Sequence, residues 1–253
     1  MKIISPKIEI LDKINGDEIL KKLEFAGRTC YKSEDKITSN SSKEFIKKAI
    51  SLGHLSLIEH EKLTFKVVCD RGVTHEIVRH RLASYSQSST RYCCYAKDKF
   101  GNEITVILPL WFRDLYDTKK QKFSSNYEIL KVMVEGGRYE QNENVKNYKG
   151  INRWYASCTK AEIEYMNLID LGFLAQQARA VLPNSLKTEL VITMNMRELR
   201  YFLQLRTTPK CHPQLREITI PLLGYLKKKI PIIFDDINPS ETYPWIKVKE
   251  RRI

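Results

Sequence analysis

"KLTFKVVCDRGVTHEIVRH", residues Lys62 to His80, changes its period halfway along. In "KLTFKVVCD" the apolar Leu63, Phe65 and Val67 alternate with other residues, the repeat of a strand with one buried face. In "GVTHEIVRH" the residues Val73, Ile77 and His80 fall on one side of a 3.6-residue repeat, so a helix follows at once. A strand half-buried against helices makes the fold class α+β. The flanks agree. Residues 2–10 alternate like a strand, and "GDEILKKLEFAGRTCY" spaces Ile19, Leu20, Leu23 and Phe25 as an amphipathic helix. "SSKEFIKKAISLG" predicts a second helix, with Ser41 or Ser42 as its cap and Gly53 as its stop.

Farther along, "ITVILPLWF" has the apolar run of a buried strand, and "WYASCTKAEIEYMNLIDLG" carries a helical stripe of Ala161, Tyr165, Leu168 and Ile169 that ends at Gly172. A short helix to Leu182 is stopped by Pro183. The β-rich "LVITMN", the helix "MRELRYFLQLR" and an apolar helix near Ile218 to Leu226 come next, followed by an irregular tail. Between them "DTKKQKFSSN" and "QNENVKNYKG" are polar and turn-rich, so residues 113–150 are expected to form loops or an insertion. With no repeat and no clean linker, one domain over 1–253 is expected, its sheet mostly antiparallel and packed by helices.

The chain has 253 residues, with 43 Lys plus Arg against 30 Asp plus Glu and a net charge of +13. That balance points to anionic partners: nucleic acid, phosphate-bearing metabolites or acidic membrane surfaces. The six cysteines, Cys30, Cys69, Cys93, Cys94, Cys158 and Cys211, include no C-x-x-C pair and suggest reduced thiols. The opening "MKIISPKIEILDKING" lacks the apolar core of a signal peptide, and no stretch approaches the roughly 20 apolar residues of a membrane span. A cytoplasmic protein without membrane contact is expected.

"RHRLASYSQSSTRY", Arg79 to Tyr92, gathers three arginines, a histidine and five serines or threonines, with Leu82 and Ala83 its only aliphatic side chains. Fixed dipoles and cations of that kind suit phosphate recognition. Arg79 and Arg81 are two apart and would point to opposite sides of a helix, so either the helix ends there or they serve different parts of a ligand. Four histidines fall between His54 and His80, but no H-E-x-x-H spacing appears and the neighbouring cations repel a metal dication, so no metal is expected. Ser89 lacks the G-x-S-x-G context of a hydrolase nucleophile. Arg179 and Arg206 emerge from apolar helical surroundings and must meet solvent, a carboxylate or a ligand. A nucleic-acid-binding protein is the competing class, but the aromatic and basic interleaving of the common modules is missing.

"RHRLASYSQSS", an R-H-R followed by seven residues and then Ser89, resembles the signature of the flavin-dependent thymidylate synthases. "AGRTCY", "GHLSLIEHEKLTFKV", "STRYC", "ARAVLPNSLKTEL" and "TMNMRELRYFLQLR" resemble the family's other blocks in the family's order. The resemblance implies the fold of that family and methylation of deoxyuridylate (dUMP), with methylenetetrahydrofolate as carbon donor, FAD as hydride relay and NADPH as reductant. It further implies a homotetramer whose active sites draw on several subunits. By position, His54, Arg79, His80, Arg81, Gln87, Asn195, Arg197 and His212 are expected beside FAD. Glu76, Gln87, Ser89, Arg91, Arg179 and Arg206 are expected around the nucleotide, with Arg91 and Arg179 near the phosphate, and Arg206 and Ser89 are the candidates for contact with the reacting atoms. An inactive flavin-binding homologue is the remaining alternative. The residues after Tyr92 are expected to enter a strand that turns Cys93 and Cys94 to opposite faces.

Overall fold

The computed structural model describes residues 1–137, 141–239 and 241–251. In chain order the elements are β1 (Lys2–Ile4), β2 (Lys7–Ile10), α1 (Gly16–Thr29), α2 (Ser41–Ser51), β3 (Lys62–Asp70), α3 (Arg71–Ile77), β4 (Ala83–Gln87) and β5 (Thr105–Ile107). They continue with β6 (Tyr116–Asp117), β7 (Lys122–Phe123), α4 (Ser125–Glu135), α5 (Glu143–Asp170), α6 (Ala175–Ala178), β8 (Lys187–Asn195), α7 (Met196–Arg206), α8 (Pro213–Lys229), α9 (Pro231–Phe234) and β9 (Val248–Glu250). The class is α+β, and the period change at Asp70 falls where β3 hands over to α3. Among the described residues no helix is long and apolar enough to cross a membrane.

The chain divides into two compact units, one of residues 1–6, 68–74 and 87–189, the other of residues 7–67, 75–86 and 190–253. The first unit holds the parallel pair β1–β5, the hairpin β6–β7 and helices α4 to α6. Its core joins Ile3 and Val106 to Phe112, Tyr127, Tyr148, Ile151 and Cys158, and Phe123 stacks on Tyr127 with ring centroids 3.9 Å apart.

The second unit holds α1, α2, α7, α8 and most of a five-stranded sheet of order β4-β8-β3-β2-β9. The sheet is mixed where the sequence suggests a mostly antiparallel one, because β9 returns from the far end of the chain to run parallel to β2, pairing Ile8 with Val248 and Ile10 with Glu250. Leu63, Phe65 and Val67 are buried as their alternation predicts. Asn15 starts α1 by accepting the Glu18 N–H at 3.4 Å, and α1 packs on α2 through Gly27, where a Cβ would come within 2.6 Å of the Phe45 ring. The cap of α2 differs from expectation: Asn40 holds the position without a side-chain hydrogen bond, and the Ser41 hydroxyl meets the Glu24 carboxylate at 2.9 Å and the Thr38 N–H at 2.9 Å.

Four other departures have local causes. Residues 2–10 are two strands, broken where Ser5 and Pro6 interrupt the pairing. "ITVILPLWF" shortens to β5, since Pro109 leads into a 3₁₀ turn over Leu110–Leu115. The tail is not wholly irregular, because it supplies α9 and β9. In the region expected to be loops, "ENVKNYKG" is the first part of α5: Val145, Tyr148 and Ile151 bury a stripe of one residue per turn while the polar residues between them face outward. Asn142 begins that helix by accepting the Val145 N–H at 3.0 Å. Replacing Asn142 with Ala should lower unfolding stability by about 1 kcal/mol, the usual worth of an N-cap. Urea denaturation checks this, and a midpoint equal to the parent's would remove Asn142 as the start of the helix.

Candidate functional site

Helix α3 stops at Ile77, three residues before His80. The turn that follows is held by the Tyr85 hydroxyl, which lies 3.0 Å from the Ile77 carbonyl and 2.6 Å from the His80 carbonyl. Of the two readings left open by Arg79 and Arg81, the end of the helix is the one observed. His80 is buried between them, and both arginines are exposed.

His80 sits in a chain of polar contacts within the second unit. Its Nδ1 is 3.1 Å from Glu198 Oε1, and its Nε2 accepts the Arg206 Nε–H at 3.1 Å. Arg206 also donates through Nη1 to the Glu76 carboxylate and through Nη2 to the Glu76 carbonyl, each at 3.3 Å. The side chains of His80 and Glu198 are 4% and 8% exposed, so an unmatched charge on either would be costly. The rings of Phe202 and Tyr201 meet the imidazole edge-on, at 4.8 and 5.9 Å. Since Nε2 accepts from a permanently protonated guanidinium, the imidazole is neutral and its proton sits on Nδ1, facing Glu198. Burial first, and the Arg206 charge with it, push the His80 pKa below its ordinary range against the opposing pull of Glu198. Beside Arg206 and Glu76 lies the Cys211 thiol, pushed up by burial and then by Glu76.

β8 runs into α7 without a loop, and the junction places three more of the expected residues. Asn195 is the cap of α7, its Oδ1 accepting the Glu198 N–H at 2.8 Å. Arg197 is exposed and pairs with Glu59 at 2.6 Å. Arg197 and Leu55 line both a cleft of about 1020 Å³, which includes His54, Lys36, Lys48 and Phe45, and a depression of about 540 Å³, which includes Asn195, Leu82 and Tyr201. A space of that volume, with cations and aromatic rings together, has the donor set for a large anionic ligand with a planar ring. His212 caps α8, its Nδ1 accepting the Gln214 N–H at 3.3 Å.

The first unit carries the other candidates. Gln87 donates to the hydroxyls of Thr74 and Thr188, each at 3.2 Å. Ser89 closes a turn by accepting the Arg91 N–H at 3.2 Å. Arg179 Nη1 donates to the buried Thr90 hydroxyl at 3.2 Å, so among the described residues its partner is a hydroxyl and not the carboxylate of a structural ion pair. That contact brings Arg179 to the turn that bears Arg91, whose guanidinium lies 5.5 Å from the Tyr92 ring centroid. Cys93 and Cys94 are in irregular chain, not in a strand, because the Cys93 N–H returns to the Ser89 carbonyl at 2.9 Å. Neither Thr90 nor Glu198 stands out in the sequence as an individual site residue. A signal for Glu198 was present: an acid three residues after Asn195, on the face of α7 that carries Leu199, Phe202 and Leu203.

The family model of the thymidylate synthase complementing protein matches residues 9–232. Proteins named flavin-dependent thymidylate synthase are similar to the chain: that of Geobacter sulfurreducens is 30% identical over 85% of this chain and 80% of its own, that of Pyrococcus furiosus 30% over 91% and 78%, and that of Mycobacterium avium 31% over 85% and 78%. The crystal structure of the UMP/dUMP methylase PolB from Streptomyces cacaoi bound with 5-Br dUMP shares the fold, with a TM-score of 0.69, 21% identity and coverage of 93% of this chain and 96% of that one.

The buried neutral His80 has a consequence for stability. An unfolded chain takes up the histidine proton more readily than the folded one, so the contribution is full above about pH 6.5 and is lost as the pH falls below it. Between about pH 7.5 and 5.5 the parent should lose more stability than His80→Gln, measured by denaturant midpoints. Equal losses in the two proteins would contradict the neutral, buried assignment.

Proposed function

The chain belongs to the thymidylate synthase complementing protein family, and we propose from that premise that it is a flavin-dependent thymidylate synthase, a methyltransferase that converts dUMP to dTMP with methylenetetrahydrofolate as carbon donor. The observation that supports this reading most strongly is the held guanidinium of Arg206. Three of its N–H groups are spent on His80 and Glu76, yet the side chain stays 22% exposed, poised for a polar ligand. The match over 9–232 spans both compact units, which supports treating 1–253 as one functional domain.

The donor set fits FAD. Its diphosphate suits the cations of the second unit, among them Arg79, Arg81, Arg197, Lys36 and Lys48, and its rings suit the aromatic wall of the cleft. His54, Asn195 and Arg197 would hold it, with His212 and Gln87 as further candidates. FAD reduced by NADPH supplies the hydride that completes the methyl group.

The residues of this chain bind, orient and neutralise. Arg91 and Arg179 offer charge-assisted donors to the nucleotide phosphate, and Ser89, its oxygen already accepting the Arg91 N–H, has its own proton left to donate. Arg206 stabilises negative charge that develops on the uracil carbonyls while the base becomes nucleophilic at C5, with Glu76 holding the guanidinium in place. Ser89 and Arg206 are the residues proposed to meet the reacting nucleotide. The active form is a homotetramer with shared sites, and the protein acts in the cytoplasm, where its six cysteines, all free, remain reduced.

The test is deoxyuridylate-dependent methylation with NADPH, FAD and the folate, read by product analysis. No dTMP from a flavin-loaded protein would favour an inactive homologue, and a protein that neither binds flavin nor quenches it would leave the nucleic-acid reading. Arg91→Ala should weaken dUMP binding about ten- to a hundredfold and leave FAD bound, the worth of one hydrogen bond to a charged group. Unchanged dUMP affinity would remove Arg91 from the phosphate. A Cys93→Ser, Cys94→Ser double variant should keep its turnover within about tenfold. A loss of several orders of magnitude in a folded, flavin-loaded variant would point to a cysteine nucleophile.

A further inference from the structure

Glu198 belongs to none of the groups assigned to flavin or nucleotide, yet it is a buried acid on an apolar helix face, aimed at one atom. Its carboxylate is 3.1 Å from His80 Nδ1, and the opposite nitrogen of that ring accepts from Arg206. A neutral imidazole carries one ring proton, so the two contacts are linked. If Glu198 accepts the proton at Nδ1, Nε2 is bare and can hold the Arg206 Nε–H. If the proton moves to Nε2, two N–H groups face each other across 3.1 Å and the guanidinium must turn away.

We propose that Glu198 is a positioning residue for Arg206: by fixing the Nδ1–H tautomer of His80, it sets the direction of the guanidinium that faces the pyrimidine. The inference rests on the reading under which Arg206 meets the uracil. It also gives His80 a role that its burial allows, since both ring nitrogens are engaged within the protein and neither is left for a direct hydrogen bond to the flavin. The surroundings favour the arrangement. Phe202 and Tyr201 pack edge-on against the imidazole and keep it from rotating freely, and Asn195 anchors the Glu198 backbone through the cap of α7.

Two measurements decide the matter. In protein carrying ¹⁵N-labelled histidine, solid-state NMR should show one ring with Nδ1 protonated and Nε2 bare, a signal that disappears in His80→Gln. In Glu198→Met, which removes the acceptor, that ring should take up the Nε2–H form. A parent His80 protonated at Nε2, or a tautomer unchanged in Glu198→Met, would overturn the proposal without reference to any substrate. The second measurement is dUMP affinity. Glu198→Met should weaken it about tenfold, within the coupling range of a shared hydrogen-bond network, while Glu198→Gln, which keeps an oxygen acceptor, should stay within about threefold of the parent. In the Arg206→Ala background Glu198→Met should have no further effect. An equal loss there would make Glu198 a structural residue only. A parent that bound no dUMP would instead refute the functional reading, and the tautomer signal would still decide the role of Glu198.

Discussion

The 3.1 Å hydrogen bond from Arg206 Nε to His80 Nε2 is the contact on which the second unit's polar arrangement depends. A cation and a protonated imidazole at that separation would repel by on the order of 5 kcal/mol at an effective dielectric of 20. Glu198, at 3.1 Å on the other side, would attract the same imidazolium by a similar amount. The two Coulomb effects nearly cancel. Desolvation of a charged ring and loss of the Arg206 hydrogen bond then decide, and both favour the neutral form. From that single protonation state follow the bare Nε2, the proton turned to Glu198 and the guanidinium held against Glu76.

The candidates for ligand contact stand at the ends of elements. Arg79, His80 and Arg81 follow the last turn of α3, Asn195 and Arg197 straddle the β8–α7 junction, Arg206 closes α7, and His212 opens α8. Element ends leave backbone groups and side chains free to face a ligand, while the packed middles keep them in register. The direct passage of β8 into α7 makes this rigid: with no loop between them, Asn195 serves as the last strand residue and the helix cap, and the Met196 N–H is fixed by the Glu61 carbonyl at 2.8 Å.

Legibility in the sequence followed the strength of the periodic signal. β3, α7 and the burial of Val73, Ile77 and His80 could be read directly because their apolar residues recur with a clear period. The first two turns of α5 could not, since a face of only Val145, Tyr148 and Ile151 is sparse among asparagines and lysines that read as a polar, turn-rich run, and the helix is held there by tertiary burial. β9 was hidden because its partner β2 lies some 240 residues away and its own sequence is polar. For the site, the charged residues could be named from motif blocks, but their wiring could not. Whether Arg179 meets a carboxylate or Thr90, and whether His80 faces a ligand or Glu198, depends on contacts between residues about 90 to 120 positions apart.

Residues beyond the family match bear on the same helix from its other side. The match ends at 232. Just past it Asp236 receives a bidentate pair from the buried Arg200 at 2.7 and 2.6 Å, Trp245 donates to Glu217 of α8 at 2.9 Å, and β9 completes the sheet beside β2. Arg200 lies two residues after Glu198 on α7, so by helical spacing the two point to different faces. α7 is therefore gripped twice, by the His80 chain on the face that orders Arg206 and by the C-terminal segment on another. A helix that must present one guanidinium in a fixed direction gains from the second grip, because rotation of α7 about its axis would have to break the Arg200–Asp236 pair as well as the contacts of Arg206.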